Sequence, residues 1–378
     1  MSRAYPFARL SVRKLAWILL PVLLLAASAA VFFSVRQHRA PVRAVRRTLD
    51  QIRHFDPEAA GALISAGDSM RTDPEQAEAL QKFFEHFDYK ILSCRRQGKT
   101  AEIKVRFKNI DTRALASDMR SEMLRGSLPV PGTETSAAGD RKEPAPVSGG
   151  RPAMAAPDLS LVKEMLSRKE YGLVSYEGSV FAVETDRHWS VSPDSSLRRL
   201  LTGFLKEYLQ DPYLLSAEEV LAIWLDQFSS MTSEQWAAYL DTDDFFSTYS
   251  ASSDEIDRLY LGLISEFYHY EIGQIDESGS EADAQVTVTS IDMAAVLEAF
   301  RKRLIEYAGT VESLTDDSAA MTEAAASCLT EALRKDARSA DYPVTIHLSN
   351  DGSCWQVTDI SGFTDALMGN ISKASDAF

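Results

Sequence analysis

At 378 residues, with 45% hydrophobic and 25% charged residues, the chain is too long for one ordinary domain and can bury a sizeable core. Its net charge of −15 is uneven: residues 1–47 carry nine Arg or Lys and no acid, whereas residues 211–378 carry eight basic against 31 acidic residues. That acidic pole argues against nucleic acid as a partner of the C-terminal half, and three cysteines (Cys94, Cys328, Cys354) are too few for a disulfide framework or a Cys-rich zinc site.

In chain order, a short basic tail (1–14) precedes Leu15–Phe33, an apolar run of 19 residues interrupted only by Ser28. At a helical rise of ~1.5 Å per residue the run nearly spans a hydrocarbon core, so it predicts a transmembrane helix that binds the lipid bilayer. Ala27-Ser28-Ala29 looks like a signal-peptidase site, but apolar residues continue through Phe33, and the run exceeds the ~7–15 residues of a signal-peptide core. The expectation is therefore an uncleaved signal-anchor, with no cysteine behind it for lipid attachment. Four basic residues precede the run and Arg36, Arg39, Arg43, Arg46 and Arg47 follow it, so the positive-inside rule leaves orientation nearly tied. The basic juxtamembrane segment (34–47) is either a solvated helical spacer or a face laid on anionic headgroups.

The rest of the chain is an internal repeat. Phe87–Asp111 aligns without a gap to Tyr268–Asp292, with seven identities in 25 positions, among them Tyr89/Tyr270, Gly98/Gly279 and Asp111/Asp292. Each copy reads as strand, Gly-containing turn and alternating strand. Leu49-Asp50-Gln51-Ile52 answers Leu225-Asp226-Gln227-Phe228, and His188-Trp189-Ser190-Val191 answers Cys354-Trp355-Gln356-Val357. The predicted fold class is α+β, with an N-terminal transmembrane helix followed by two ααββααββ modules, residues 48–210 and 211–378. Helix starts are marked by Asp73-Pro74 and by capping-box spacing at Ser216/Glu219, Thr232/Gln235 and Ser252/Glu255. Asp111 and Asp292 read as helix N-caps. Residues 127–157, with six prolines and four glycines, read as a disordered insertion inside the first module. Asn350-Asp351-Gly352 reads as the last hairpin turn of the second.

This order, with the ending Asp351-Gly352-Ser353-Cys354-Trp355-Gln356-Val357, resembles the nuclear transport factor two-like, cystatin-like α+β cone of membrane-anchored extracytoplasmic proteins of Gram-positive bacteria. The resemblance implies in each module a curved antiparallel sheet packed on helices, an interior that can hold a pocket, and a location outside the cytoplasm. It implies no activity, because folds of this kind host enzymes, binders and scaffolds alike. The first module departs from the ending, since Asp186-Arg187-His188-Trp189 lacks the glycine. In such a fold the elements bearing Cys328 and Cys354 can approach, which makes that pair a candidate disulfide outside the cell.

No catalytic, cofactor or metal constellation emerges. The six histidines (His38, His54, His86, His188, His269, His347) lack metal-ligand spacing. Asp241, Asp243 and Asp244 lack the glycine and glutamate of a calcium loop and read as a solvated turn, as do Asp316-Asp317. One asymmetry stands out. On the predicted outer strand face the first module carries Lys104, Arg106 and Lys108, where the second carries Gln285, Thr287 and Thr289. The stripe is either a solvated face or a docking face for an anionic protein or envelope partner. The sequence thus favours a non-enzymatic, envelope-anchored binding or scaffolding protein. The alternative is a ligand binder or enzyme using a pocket in one module, with His86 and Tyr89, or His269 and Tyr270, as the first places to look.

Overall fold

The structure, a computed structural model, describes residues 39–56, 74–127, 159–192, 194–240, 246, 253–311, 317–360 and 362–376. The expected span Leu15–Phe33, the expected insertion beyond Ser127, and Asp241, Asp243 and Asp244 lie outside them. Among the described residues no helix is long and apolar enough to cross a membrane. The chain divides into two compact units, residues 1–115 with 157–206, and residues 116–156 with 207–378.

The first unit contains α1 (residues 39–53), α2 (Pro74–Phe84), β1 (Asp88–Gln97), β2 (Thr100–Ile110), the start of α3 (Thr112–Ser127), α4 (Leu159–Arg168), β3 (Leu173–Thr185), β4 (His188–Val191) and α5 (Ser195–Leu201). A short α6 (Leu205–Leu209) spans the division, and α3 counts with the second unit from Ala116 onward. The sheet is antiparallel in the order β1-β2-β3-β4. Strict alternation along β2 explains its placement: Ala101, Ile103, Val105 and Phe107 are at most 1% exposed, while Lys104, Arg106 and Lys108 face solvent. Val45, Leu49 and Ile52 of α1, Phe83 and Phe84 of α2 and Val162 of α4 are buried at helical spacing and complete this core.

In the second unit α7 (Ala217–Ser229), α8 (Ser233–Leu240) and α9 (Ser253–Phe267) precede β5 (His269–Ser278) and β6 (Glu281–Ile291). Helices α10 (Met293–Ala308) and α11 (Ser318–Asp336), strands β7 (Ser339–Asn350) and β8 (Trp355–Asp359), and helices α12 (Phe363–Leu367) and α13 (Ile371–Asp376) follow. The sheet order is β5-β6-β7-β8, again antiparallel. Ser216 and Glu219 form the reciprocal capping box at the start of α7, and Thr232 and Gln235 exchange the same pair of bonds at α8. Asp111 and Asp292 cap α3 and α10 by accepting backbone N–H groups.

The repeat holds in register as well as in order. Tyr89 pairs with Phe107 as Tyr270 pairs with Val288, and the first strand of each sheet is bulged after Ile91 and after Ile272. Ile110 pairs with Leu173 as Ile291 pairs with Ser339. The match therefore continues from β3 onward, equating Tyr176 with Tyr342, Gly203 with Gly369 and Phe204 with Asn370. Gly178 lies so close to Leu200 that an added Cβ would sit 2.3 Å from a Leu200 methyl; Val344 and Ala366 occupy the equivalent places.

Three expectations change. The second module opens on three helices, α7, α8 and α9, rather than two. Each module ends not on its fourth strand but on two further short helices, α5 with α6 and α12 with α13. These elements are too short to show helical periodicity in sequence. The missing glycine of the first module's last turn is replaced by Asp186 and Arg187, both left-handed at φ 51° and 65°. That is the two-residue turn compatible with strand twist, made here at some backbone cost. In the second module only Gly352 of Asn350-Asp351-Gly352 has positive φ (89°). Asn350 works instead through its side chain, accepting from Gly352 N–H and donating to the Pro212 carbonyl.

Candidate functional site

The titratable groups of the second interior are phenols: Tyr239, Tyr260 and Tyr268 are all pushed up by burial. Around β6 the inner positions Ala282, Ala284, Val286 and Val288 join Trp224, Phe228, Trp236, Tyr260 and Phe363 in one apolar cluster. Tyr89 and Tyr270 do not point to open space. Tyr89 Oη donates to Asp50 Oδ1 at 2.7 Å, and Tyr270 Oη to Asp226 Oδ1 at 2.5 Å. Burial first, then the bond to the neighbouring carboxylate, pushes both phenols up, Tyr270 to about 12. Such phenols stay protonated and join a strand to a helix. His86 and His269 beside them are exposed. Among the described residues no group of His, Cys, Asp and Glu could hold a metal ion.

The basic stripe is where the sequence placed it, but part of its charge is matched. Arg106 pairs with Glu177 on β3 at 2.6 Å, and Glu102 accepts from Ser179 at 2.7 Å. Lys104 and Lys108 form no ion pair among the described residues; their β3 partners are Ser179 and Ser175, and Phe181, 43% exposed, lies opposite Glu102 on the same face. Sequence reasoning missed Glu177 because it lies 71 residues from Arg106 and meets it only through strand pairing.

A second feature was not foreseen. In the second unit a depression of about 530 Å³ is lined by Asp292, Glu298, Arg301, Tyr342, Asn370 and Lys373 together with small apolar residues. Tyr342 lies at its edge, donating to the Ile291 carbonyl at 2.9 Å, and burial with the nearby Asp292 pushes its phenol up to about 12. Asp292 is held by its cap to Ala295 and by Arg338 at 2.9 Å. In the first unit the residue equivalent to Asn370 is Phe204, whose ring stands edge-on to Tyr176 at 5.7 Å with the Arg199 guanidinium over it at 5.6 Å. The signal in the sequence was the Phe204/Asn370 difference, readable only once the third strands are aligned.

Cys328 is half-buried on α11, Cys354 is buried beside β8, and both are free thiols, so the candidate disulfide is not formed. Burial, then the Glu331 carboxylate, pushes the Cys328 thiol up.

No protein-family model matches the chain, and no curated protein matches it. A solved structure of a Bacillus subtilis chain designated a lipoprotein (ycdA) aligns over 75% of this chain and 95% of its own, at 13% identity and a TM-score of 0.24. A likeness that loose carries neither fold nor function.

Proposed function

We propose that this is a membrane-anchored, extracytoplasmic binding or scaffolding protein without catalytic activity, whose first module presents Lys104, Arg106 and Lys108 to an anionic protein or envelope partner. The anchor rests on the apolar run Leu15–Phe33, and the outside location on the resemblance to nuclear transport factor two-like modules of bacterial envelope proteins. The observation that carries the binding reading is the unmatched charge of Lys104 and Lys108, at positions where the second module is neutral, on a sheet face that also exposes Phe181 opposite Glu102. A solvated sheet face requires neither the charge excess nor the aromatic ring.

The test is binding of the full chain to a polyglutamate peptide across a salt series. Wild type should bind with an affinity that falls as salt rises, and Lys104→Glu with Lys108→Glu should abolish binding. Equal binding by wild type and variant would remove the docking face. Protease treatment of intact cells tests location separately: cleavage within residues 127–157 before lysis supports the outside reading, and protection until lysis defeats it.

The depression in the second unit favours a second reading, a small-ligand site in that module alone. Asn370→Phe should fill it with a ring such as the first module carries at Phe204, and should erase any fragment hits found by saturation-transfer NMR.

A further inference from the structure

The five arginines around α1 are usually explained as solubility, but the repeat supplies a control. The bond from Tyr89 to Asp50, with Arg46 O also within 3.3 Å of the phenol, is repeated by Tyr270 with Asp226 and Ala222 O. That fixes the alignment of α1 with α7. Arg43, Arg46 and Arg47 therefore correspond to Glu219, Ala222 and Ile223. The module folds without arginine at these positions, so their presence on α1 has another cause.

Their placement names it. At ~100° per residue, positions 39, 43, 46, 47 and 53 fall within an arc of about 120°. Val45, Leu49 and Ile52 are buried on the opposite side. Arg53 pairs with Asp88 at 3.5 Å, but Arg39, Arg43, Arg46 and Arg47 form no ion pair among the described residues. Arg43, Arg46 and Arg47 line an open groove of about 620 Å³ that also holds Asp50 and Asp56, the first of them already bonded to Tyr89. The helix begins only six residues after Phe33, the end of the apolar run. Six extended residues span at most roughly 20 Å, so the start of the helix stays within that reach of the apolar run and can lie against the headgroups.

We propose that Arg39, Arg43, Arg46 and Arg47 form a headgroup-binding face that seats the first module on an anionic phospholipid bilayer. The inference rests on the membrane-anchor reading. Guanidinium forks match phosphate oxygens in pairs, and an anionic surface attracts basic residues tethered close to it.

The test uses the full chain in neutral detergent, with phosphatidylglycerol or phosphatidylcholine added, and native mass spectrometry to count retained lipids. Wild type should retain phosphatidylglycerol in preference. Arg43→Gln, Arg46→Gln and Arg47→Gln together should lower that preference by roughly fivefold per arginine. Should the triple variant fail to fold, Arg47→Gln alone, at an exposed position, should give a single such step. Equal retention of the two lipids, or a preference unchanged in the variants, would overturn the assignment. So would inorganic phosphate removing the preference at the lipid's own concentration, which would mark a soluble-anion site. Failure of the anchor itself reads differently, as a full chain that stays dispersed without detergent whichever lipid it binds.

Discussion

Tyr89 donates to Asp50 across 2.7 Å, joining β1 to α1, and the second module repeats the bond between Tyr270 and Asp226. The pairs bind the first strand of each sheet to the first helix of its module. Tyr89→Phe and Tyr270→Phe should each cost about 1 kcal/mol, the half-exposed setting keeping the figure below that of a buried charged bond. Urea unfolding of the two variants measures this.

The same bond gives a pH dependence. Tyr270 is raised in the folded state, so its contribution is complete below the unfolded tyrosine value of ~10 and is lost as pH rises toward about 12. Stability should fall across that window in wild type and fall less in Tyr270→Phe. Parallel curves would remove the assignment.

Two glycines of similar, left-handed φ should differ in cost. Gly369 (φ 71°) has the Ile291 carbonyl 2.2 Å from where a Cβ would stand, whereas Gly98 (φ 61°) has nothing within 4 Å. Gly369→Ala should cost about 3 kcal/mol or more, and Gly98→Ala about 1 kcal/mol, the left-handed penalty alone. Thermal unfolding separates the two.

Arg187 sits left-handed at φ 65° in the two-residue turn between β3 and β4. Arg187→Gly should stabilise by about 1 kcal/mol, raising the unfolding midpoint.

Arg120, 5% exposed in the second unit, donates to three main-chain oxygens: Leu209 at 2.6 Å, Ser353 at 2.9 Å and Asp211 at 3.2 Å. Arg120→Ala strands those carbonyls and should cost about 3 kcal/mol in chemical unfolding. Arg120→Lys should recover only part, since an ammonium cannot fork.

The sequence made the hairpins legible because period-two alternation, a Gly turn and an Asp cap recur at one spacing in both modules. Helix caps at Ser216 and Thr232 were legible for the same local reason. Arg120 was not, because helical spacing cannot say that an arginine will find three carbonyls far along the chain. Nor could strand alternation reveal Glu177 opposite Arg106. The likeness of β3 to β7 was hidden because the tract after Ser127 and its shorter counterpart change the spacing between the copies. The docking proposal thus has less free charge to work with than counting alone suggested, and rests on Lys104 and Lys108.

Gly178 and Leu200 are one small and one large residue, where the second module has Val344 and Ala366. Two hairpins of matching register in one chain could trade partners during folding, each completing the other's sheet. Volume guards against it. A third strand from the second module set against Leu200 would bring valine where only hydrogen fits, and the reverse exchange would leave glycine facing alanine across a void. The inverted sizes make each third strand fit the closing helix of its own module and not that of the other.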